Sequence, residues 1–451
     1  MKNFITRRTL LRLGAGSLGL LGASRIGRLG RLNAAVTSPT PNYKAMVCIF
    51  LFGGDDGNNL LVPVQTKKQS YQDYFNVRGT TLGLAQNSLA QIAAQSGEVY
   101  GFHSSLSPLQ TLYNNKKLAV VANVGTLLEP LTKTQFQQGN LPVPTNLFSH
   151  SDQQQQWQTT PGPLRTGWGG RAADILQAVN SPSTFPTSVS VAGNALFLSG
   201  QTSTQASITN GGLGLDGSDG SPAANARDSA FQQILTFNTG VTLIQNANQY
   251  MAQGIQAGKD LNAALQSGGN LQTVFPQTGL GAQLQQVAQI MKVRQTLGMN
   301  RQIFFASQGG YDTHTDQIPQ QTALFAELAG ALSAFYNATL ELGLDNQVVT
   351  FTESDFGRTC QPSTGAGSDH AWGSHHLVMG SALKAPDVYG TFPQIALNGP
   401  DDVTGRGVWL PTSSVDQYGA TIASWFGVPD GSLNSVFPNL ANFSNPKLGF
   451  L

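Results

Sequence analysis

The chain is short of charge. Lys, Arg, Asp and Glu make up 11% of its 451 residues, against about 25% in an ordinary soluble protein. Asn, Gln, Ser, Thr and Gly must therefore supply most of the polar surface, and any clustered charge is informative. Cysteine is nearly absent. Cys48 sits in an apolar run and Cys360 in a polar stretch, which excludes a disulfide framework or a thiolate metal site. Both read as free thiols, with one bridge between them left open. No segment carries the roughly 20 uninterrupted apolar residues of a spanning helix. The first 35 residues lack any acid but hold seven bases, Lys2, Arg7, Arg8, Arg12, Arg25, Arg28 and Arg31. Without them Lys and Arg fall from 25 to 18 against 24 Asp and Glu, leaving about −6. A mildly acidic remainder has no electrostatic footprint for nucleic acid.

What is present begins with Thr6-Arg7-Arg8-Thr9-Leu10-Leu11-Arg12, followed by a weakly apolar, Gly-rich run over residues 13–24. This pattern resembles a twin-arginine signal peptide over residues 1–35, with cleavage near Ala34-Ala35; the alternative is a basic amphipathic arm. The leader implies handling by the twin-arginine export machinery and a periplasmic or extracellular protein with no stable membrane span after cleavage. Such systems move folded cargo, which is compatible with a metal loaded before export.

The run Ala45-Met-Val-Cys-Ile-Phe-Leu-Phe52 stops at Gly53-Gly54, as expected of a strand buried on both faces of a parallel sheet. Residues 118–124, 188–191, 303–306 and 347–352 behave alike, and 320–342 has apolar residues at helical spacing. Strand, helix, strand predicts an α/β domain with a mainly parallel central sheet flanked by helices, over residues 43–451. Residues 193–285, rich in Gly, Ser, Asn and Gln, with turns over 210–221 and a helical pattern over 228–265, read as an inserted cap or lid. Residues 413–426 read as a capped amphipathic helix.

Carboxylates and histidines gather just after the apolar strands: Asp55 and Asp56, then Asp312, His314 and Asp316, then Glu353 and Asp355, with Asp369, His370, His375 and His376 following. Loops at the carboxyl ends of neighbouring strands line one crevice. Carboxylates crowded there repel and lose hydration unless a cation offsets them. A divalent ion is the simplest compensator, with carboxylate and imidazole donors suiting Zn, Mn or Fe and an all-oxygen set suiting Mg or Ca. On an extended segment His375 and His376 face opposite ways, so one of them at most is expected as a ligand. Ser149, at the start of a Gln-rich helical stretch, is a helix cap by residue type and equally a candidate nucleophile, with Ser151 behind it. Arg358 can fork onto an anion or pair with Asp355.

Seven segments together give the chain its family likeness: Phe52-Gly-Gly-Asp-Asp-Gly-Asn-Asn59, Ser149-His150, Gly167-Trp-Gly-Gly-Arg171, Gly309-Gly-Tyr-Asp-Thr-His314, Asp355-Phe-Gly-Arg-Thr359, Gly367-Ser-Asp-His-Ala-Trp372 and Val415-Asp-Gln-Tyr418. From about Tyr43 onward the chain resembles the DUF1501 family of exported bacterial proteins, placed in the alkaline phosphatase and sulfatase superfamily. That resemblance implies an alkaline phosphatase-like fold and one or two divalent ions. It also implies an anionic ester as substrate, either a small molecule or a polymer. By analogy Asp56, Asp312, Asp355 and either His370 or His376 would be metal ligands, joined by Asp369 and by His314 as a substitute. Ser149 would be the nucleophile, or a water in its place, and Arg358 and Asn59 would steady the anion. Phe356 departs from the pattern, standing where a histidine is expected, and Asp316 replaces another. The expected activity is metal-dependent hydrolysis of phosphate or sulfate esters. The alternative is an exported binding or structural protein that retains the fold without the chemistry; a polysaccharide-binding module, drawing on scattered Trp and Tyr, is a third class.

Overall fold

The computed structural model describes residues 43–208, 221–237 and 240–451. The leader and most of the turn-rich stretch 210–221 lie outside these residues. In chain order the strands are β1 (Lys44–Leu51), β2 (Leu61–Gln65), β3 (Ala90–Ala93), β4 (Val99–Phe102), β5 (Leu118–Gly125), β6 (Ser188–Ser190), β7 (Gln205–Ser207), β8 (Arg301–Gln308), β9 (Val348–Ser354), β10 (Ser374–Met379), β11 (Val388–Gly390) and β12 (Ser413–Ser414). The main sheet runs β11-β5-β10-β9-β1-β8-β6-β7, with β12 also on β5. All its pairings are parallel except those of β10, which is antiparallel to both β5 and β9. Strands β2, β4 and β3 form a small antiparallel sheet. The protein is thus a mixed α/β fold with a central, mainly parallel sheet flanked by helices.

Strand β1 shows why its sequence is apolar throughout. Ala45, Val47, Ile49 and Leu51 enter one layer, packed with helices Gly279–Lys292 and Gln317–Glu341. Met46, Cys48 and Phe50 enter the other, with helices Trp168–Leu176 and Val415–Phe426. Alternate residues of a strand face opposite sides, and helices cover both. The β8-helix-β9 unit is formed, but β1 lies between its two strands. Helix Val415–Phe426 carries the reciprocal cap that its sequence signals: Gln417 N donates to Ser414 Oγ at 3.1 Å and Ser414 N to Gln417 Oε1 at 3.0 Å. No helix among the described residues is long and apolar enough to cross a membrane.

Residues 193–285 are shared among several roles. Phe197 and Leu198 are fully buried in the core, β7 is the terminal strand of the main sheet, and helix Gly279–Lys292 packs in the core. Between them, helices Pro222–Thr236 and Thr242–Gly268 lie against each other. Both cysteines are buried and free, Cys48 in one core layer and Cys360 in a separate apolar cluster beside the small sheet.

Glu353 is a buried acid of β9. Its Oε1 accepts from Trp168 Nε1 at 3.0 Å and its Oε2 faces Cys48 Sγ at 3.7 Å. Burial pushes its pKa up to about 8, against the opposing pull of those two bonds. The folded chain therefore keeps a proton on Glu353 that the unfolded chain has already lost, so stability declines as pH rises from about 4.5 to about 8. Glu353→Gln, scanned by thermal denaturation, is expected to flatten that decline; parallel profiles for the two proteins would contradict the assignment.

Candidate metal centre

The carboxyl ends of β8, β1 and β9 lie side by side, and the loops leaving them meet. Their closeness depends on Gly53, which has φ +118° and a position where a Cβ would stand 2.3 Å from Asp312 N. No side chain fits there. The centre of the arrangement is Asp355, immediately after β9 and fully buried. Its Oδ2 accepts from Gly53 N at 3.2 Å, from Gln154 Nε2 at 2.9 Å and from His150 Nδ1 at 2.6 Å. His150 and Gln154 are four residues apart on helix His150–Thr159, hence on one face. Three other glutamines of this helix are also bonded: Gln153 to Thr126 Oγ1 and Thr145 O, Gln156 to Thr145 O, and Gln158 to Phe197 N.

Three imidazoles converge on one carboxylate. Asp312 Oδ1 lies 3.5 Å from His150 Nε2, 3.5 Å from His370 Nε2 and 3.0 Å from His314 Nε2. His314 Nε2 and His370 Nε2 are 3.0 Å apart. Two rings have a hydrogen-bond acceptor on the far side, Asp355 for His150 and Phe148 O at 2.7 Å for His370, while His314 Nδ1 lies 3.4 Å from Asp369 Oδ1. A carboxylate or carbonyl only accepts, so in His150 and His370 Nδ1 carries the proton and Nε2 presents a lone pair. The hydrogen bond that His150 donates to Asp355 raises its pKa against partial burial, whereas burial lowers that of His370. Phe356 backs the cluster, its ring centroid 4.8 Å from that of His150 and 4.6 Å from that of His370. The position where a histidine is expected is thus an apolar wall.

The donor set fits a metal. His150, Asp312 and His370 each offer an atom within 4.8 Å of the others. Tetrahedral arms of about 2.0–2.1 Å imply donor separations of roughly 3.3–3.4 Å, close to the 3.5 Å from Asp312 Oδ1 to each of the two ring nitrogens. His150 Nε2 and Asp355 Oδ1 are buried polar atoms with no hydrogen-bond partner among the described residues, a condition that is costly to leave uncompensated.

Arg358 is buried and its five donors are spent within the protein. Nε reaches Ser368 Oγ, Nη1 reaches Gly53 O and Asp312 Oδ1, and Nη2 reaches Ser368 O and Asp312 Oδ1. It fixes Asp312 rather than standing free for an anion. Desolvation works against the charge on Asp312, but Arg358 with His150 and His314 outweighs it and holds the carboxyl below its usual range.

Residues 43–405 match the model of a family described as "Protein of unknown function (DUF1501)". The chain belongs to the DUF1501 family. No curated protein matches it in sequence. Among solved structures it is similar to the PsFucS1 sulfatase from Pseudoalteromonas sp., at 10% identity over 89% of this chain and 75% of that one, with TM-score 0.33. It is similar also to the C-terminal periplasmic domain of EcEptC from Escherichia coli in complex with Zn, at 10% identity over 87% and 84%, TM-score 0.31. A mutant of the alkaline phosphatase PafA gives 13% identity over 72% and 65%, TM-score 0.25. Likeness of this size assigns no residue roles to the DUF1501 chain.

Several candidates do not join the cluster. Asp56 is buried and paired with Arg78, its Oδ2 also accepting from Gln317 Nε2 and its Oδ1 from Asn58 N. It is a structural counter-ion, not an open ligand. Asn59 is spent on Tyr74, Arg78 and Leu82 O, so it holds the fold and no anion. Ser149 Oγ donates to Asp152 Oδ2 at 2.5 Å and lies 3.2 Å from Ser151 Oγ. His375 and His376 are in β10, inside the sheet. His375 Nδ1 accepts from Asn123 N and its ring packs on Phe392, while His376 packs on Trp157 and Tyr418. Burial lowers both pKa values to about 3, so both stay neutral. Asp369 and Asp355 stand behind the imidazoles as orienting groups; Asp369 Oδ2 also accepts from Arg406 Nη1 at 2.5 Å. His150 joins the cluster, although beside Ser149 its position in the sequence suggested no ligand role. Its signal was the four-residue spacing to Gln154.

An orienting carboxylate behind a metal-binding histidine is typically worth 10–100-fold in metal affinity. Asp355→Asn is therefore expected to weaken Zn binding by about that factor in a chelator-competition titration; wild-type affinity in the variant would remove Asp355 from the centre.

Proposed function

We propose that this protein is an exported metal-dependent hydrolase of phosphate or sulfate esters, with one divalent ion held by His150, Asp312 and His370. The observation that carries the reading is the gathering of their donor atoms within 4.8 Å of one another, with the Asp312 side chain half-exposed. Three protein ligands with an open side are the arrangement of a catalytic site, and imidazole donors favour Zn, Mn or Fe over Mg or Ca. An ion there would polarise an ester oxygen and acidify a water molecule. The protein groups have separate tasks. Asp355 and the Phe148 carbonyl hold the two ring tautomers, Arg358 fixes Asp312, and Phe356 keeps water from the rear of the site. His314, with its side chain 44% exposed, stands on the open side. Its Nε2 is placed to pass a proton while Asp369 steadies Nδ1. Ser149 is left out because its hydroxyl is engaged by Asp152, which favours water as the attacking group.

A second reading, a metal-binding protein without turnover, is favoured by Arg358, whose spent donors leave the centre without a free guanidinium for an anion. Metal analysis and a panel of aryl phosphates and sulfates separate the two. The enzyme reading expects about one equivalent of metal, lost together with turnover in His150→Ala and His370→Ala. It expects His314→Ala to keep the metal while kcat falls about 10²–10⁴-fold. Bound metal with no turnover on any ester would favour the second reading, and no bound metal would end both.

Export is supported by the Arg7-Arg8 pair and the run that follows it. Lys in place of both arginines is expected to leave the protein in the cytoplasmic fraction; unchanged periplasmic recovery would contradict twin-arginine transport.

A further inference from the structure

A second concave site lies at the β7 end of the main sheet. It is a cleft of about 1070 Å³ between the 177–187 and 199–207 segments on one side and helix Thr242–Gly268 on the other. Among the described residues, none that lines it is Asp, Glu, Lys, Arg or His. The walls are hydroxyls and amides instead.

One wall is held rigid from behind. Asp174, which does not line the cleft, accepts from the backbone N–H groups of Gln201, Thr202 and Ser203 at 2.7, 3.0 and 2.6 Å. The opposite wall is the helix face carrying Asn246, Gln249, Tyr250 and Gln253, the i, i+3, i+4, i+7 spacing that puts four side chains on one side. The amides of Asn246, Gln249 and Gln253 make no hydrogen bond to the described residues. Tyr250 is 57% exposed, a flat apolar ring with a polar tip.

The geometry points to a binding site for a neutral oligosaccharide. Amides and hydroxyls both donate and accept, as a polyol requires, and an aromatic ring offers a face for the C–H side of a sugar. Other ligand classes meet obstacles. A nucleic acid or an acidic glycan needs cations on the wall, and an extended peptide needs apolar pockets for alternate side chains. The site is separate from the metal centre and does not depend on the hydrolase reading.

Calorimetric titration of the mature protein with maltotetraose, cellotetraose, xylotetraose and chitotetraose tests it, run with and without prior chelation of metal. Saturable binding of at least one sugar is expected, unchanged by chelation and weakened about tenfold by Tyr250→Ala. Because Tyr250 is exposed, the variant should keep its thermal midpoint. A Gln249→Ala/Gln253→Ala double variant should weaken binding as well. Four sugars that fail to saturate, binding indifferent to both variants, or binding abolished by chelation would each overturn the assignment.

Discussion

The candidate centre depends on the buried carboxylate of Asp355. One oxygen collects a backbone N–H from the end of β1 and two side chains from a helix that is distant in sequence. That single atom joins the sheet to the helix and sets which nitrogen of His150 is left bare. A buried carboxylate is costly unless it accepts several hydrogen bonds or meets a cation, so its presence in a chain so poor in charge makes it the residue around which the loops are organised. Arg358 plays the corresponding part for Asp312, and Gly53 lets the two loops approach each other.

The sheet was legible because its strands are covered on both faces. Burial on both sides turns a strand into an unbroken apolar run, which β1, β5, β8 and β9 show in the sequence. Strand β10 was not legible. It opens with Ser374-His375-His376, residues that read as ligands, and both rings are instead packed neutral against Phe392 and against Trp157 and Tyr418. The antiparallel direction of β10 was hidden for the same reason.

The site was legible in part. The gathering of Asp312, His314, His370 and Asp355 follows from their places after strands in one crevice. Asp56 has the same placement, but Arg78, Gln317 and Asn58 already occupy its two oxygens. The pairing with Arg78 is a tertiary event that no local pattern announces. His150 was hidden by its neighbour, since a serine at a helix start draws attention as a nucleophile. Arg358 carries the right chemistry for an anion, and only a census of its five donors shows that the protein has already used them.

The glutamines of helix His150–Thr159 look like low-complexity filler, yet four of the five moor that helix to Thr126, Thr145, Asp355 and Phe197. Amides neither gain nor lose protons at ordinary acidity, and their buried bonds are little weakened by dissolved salt. A helix tied down in this way keeps its bearing in surroundings whose acidity and salinity swing, where lysine and glutamate tethers would slacken.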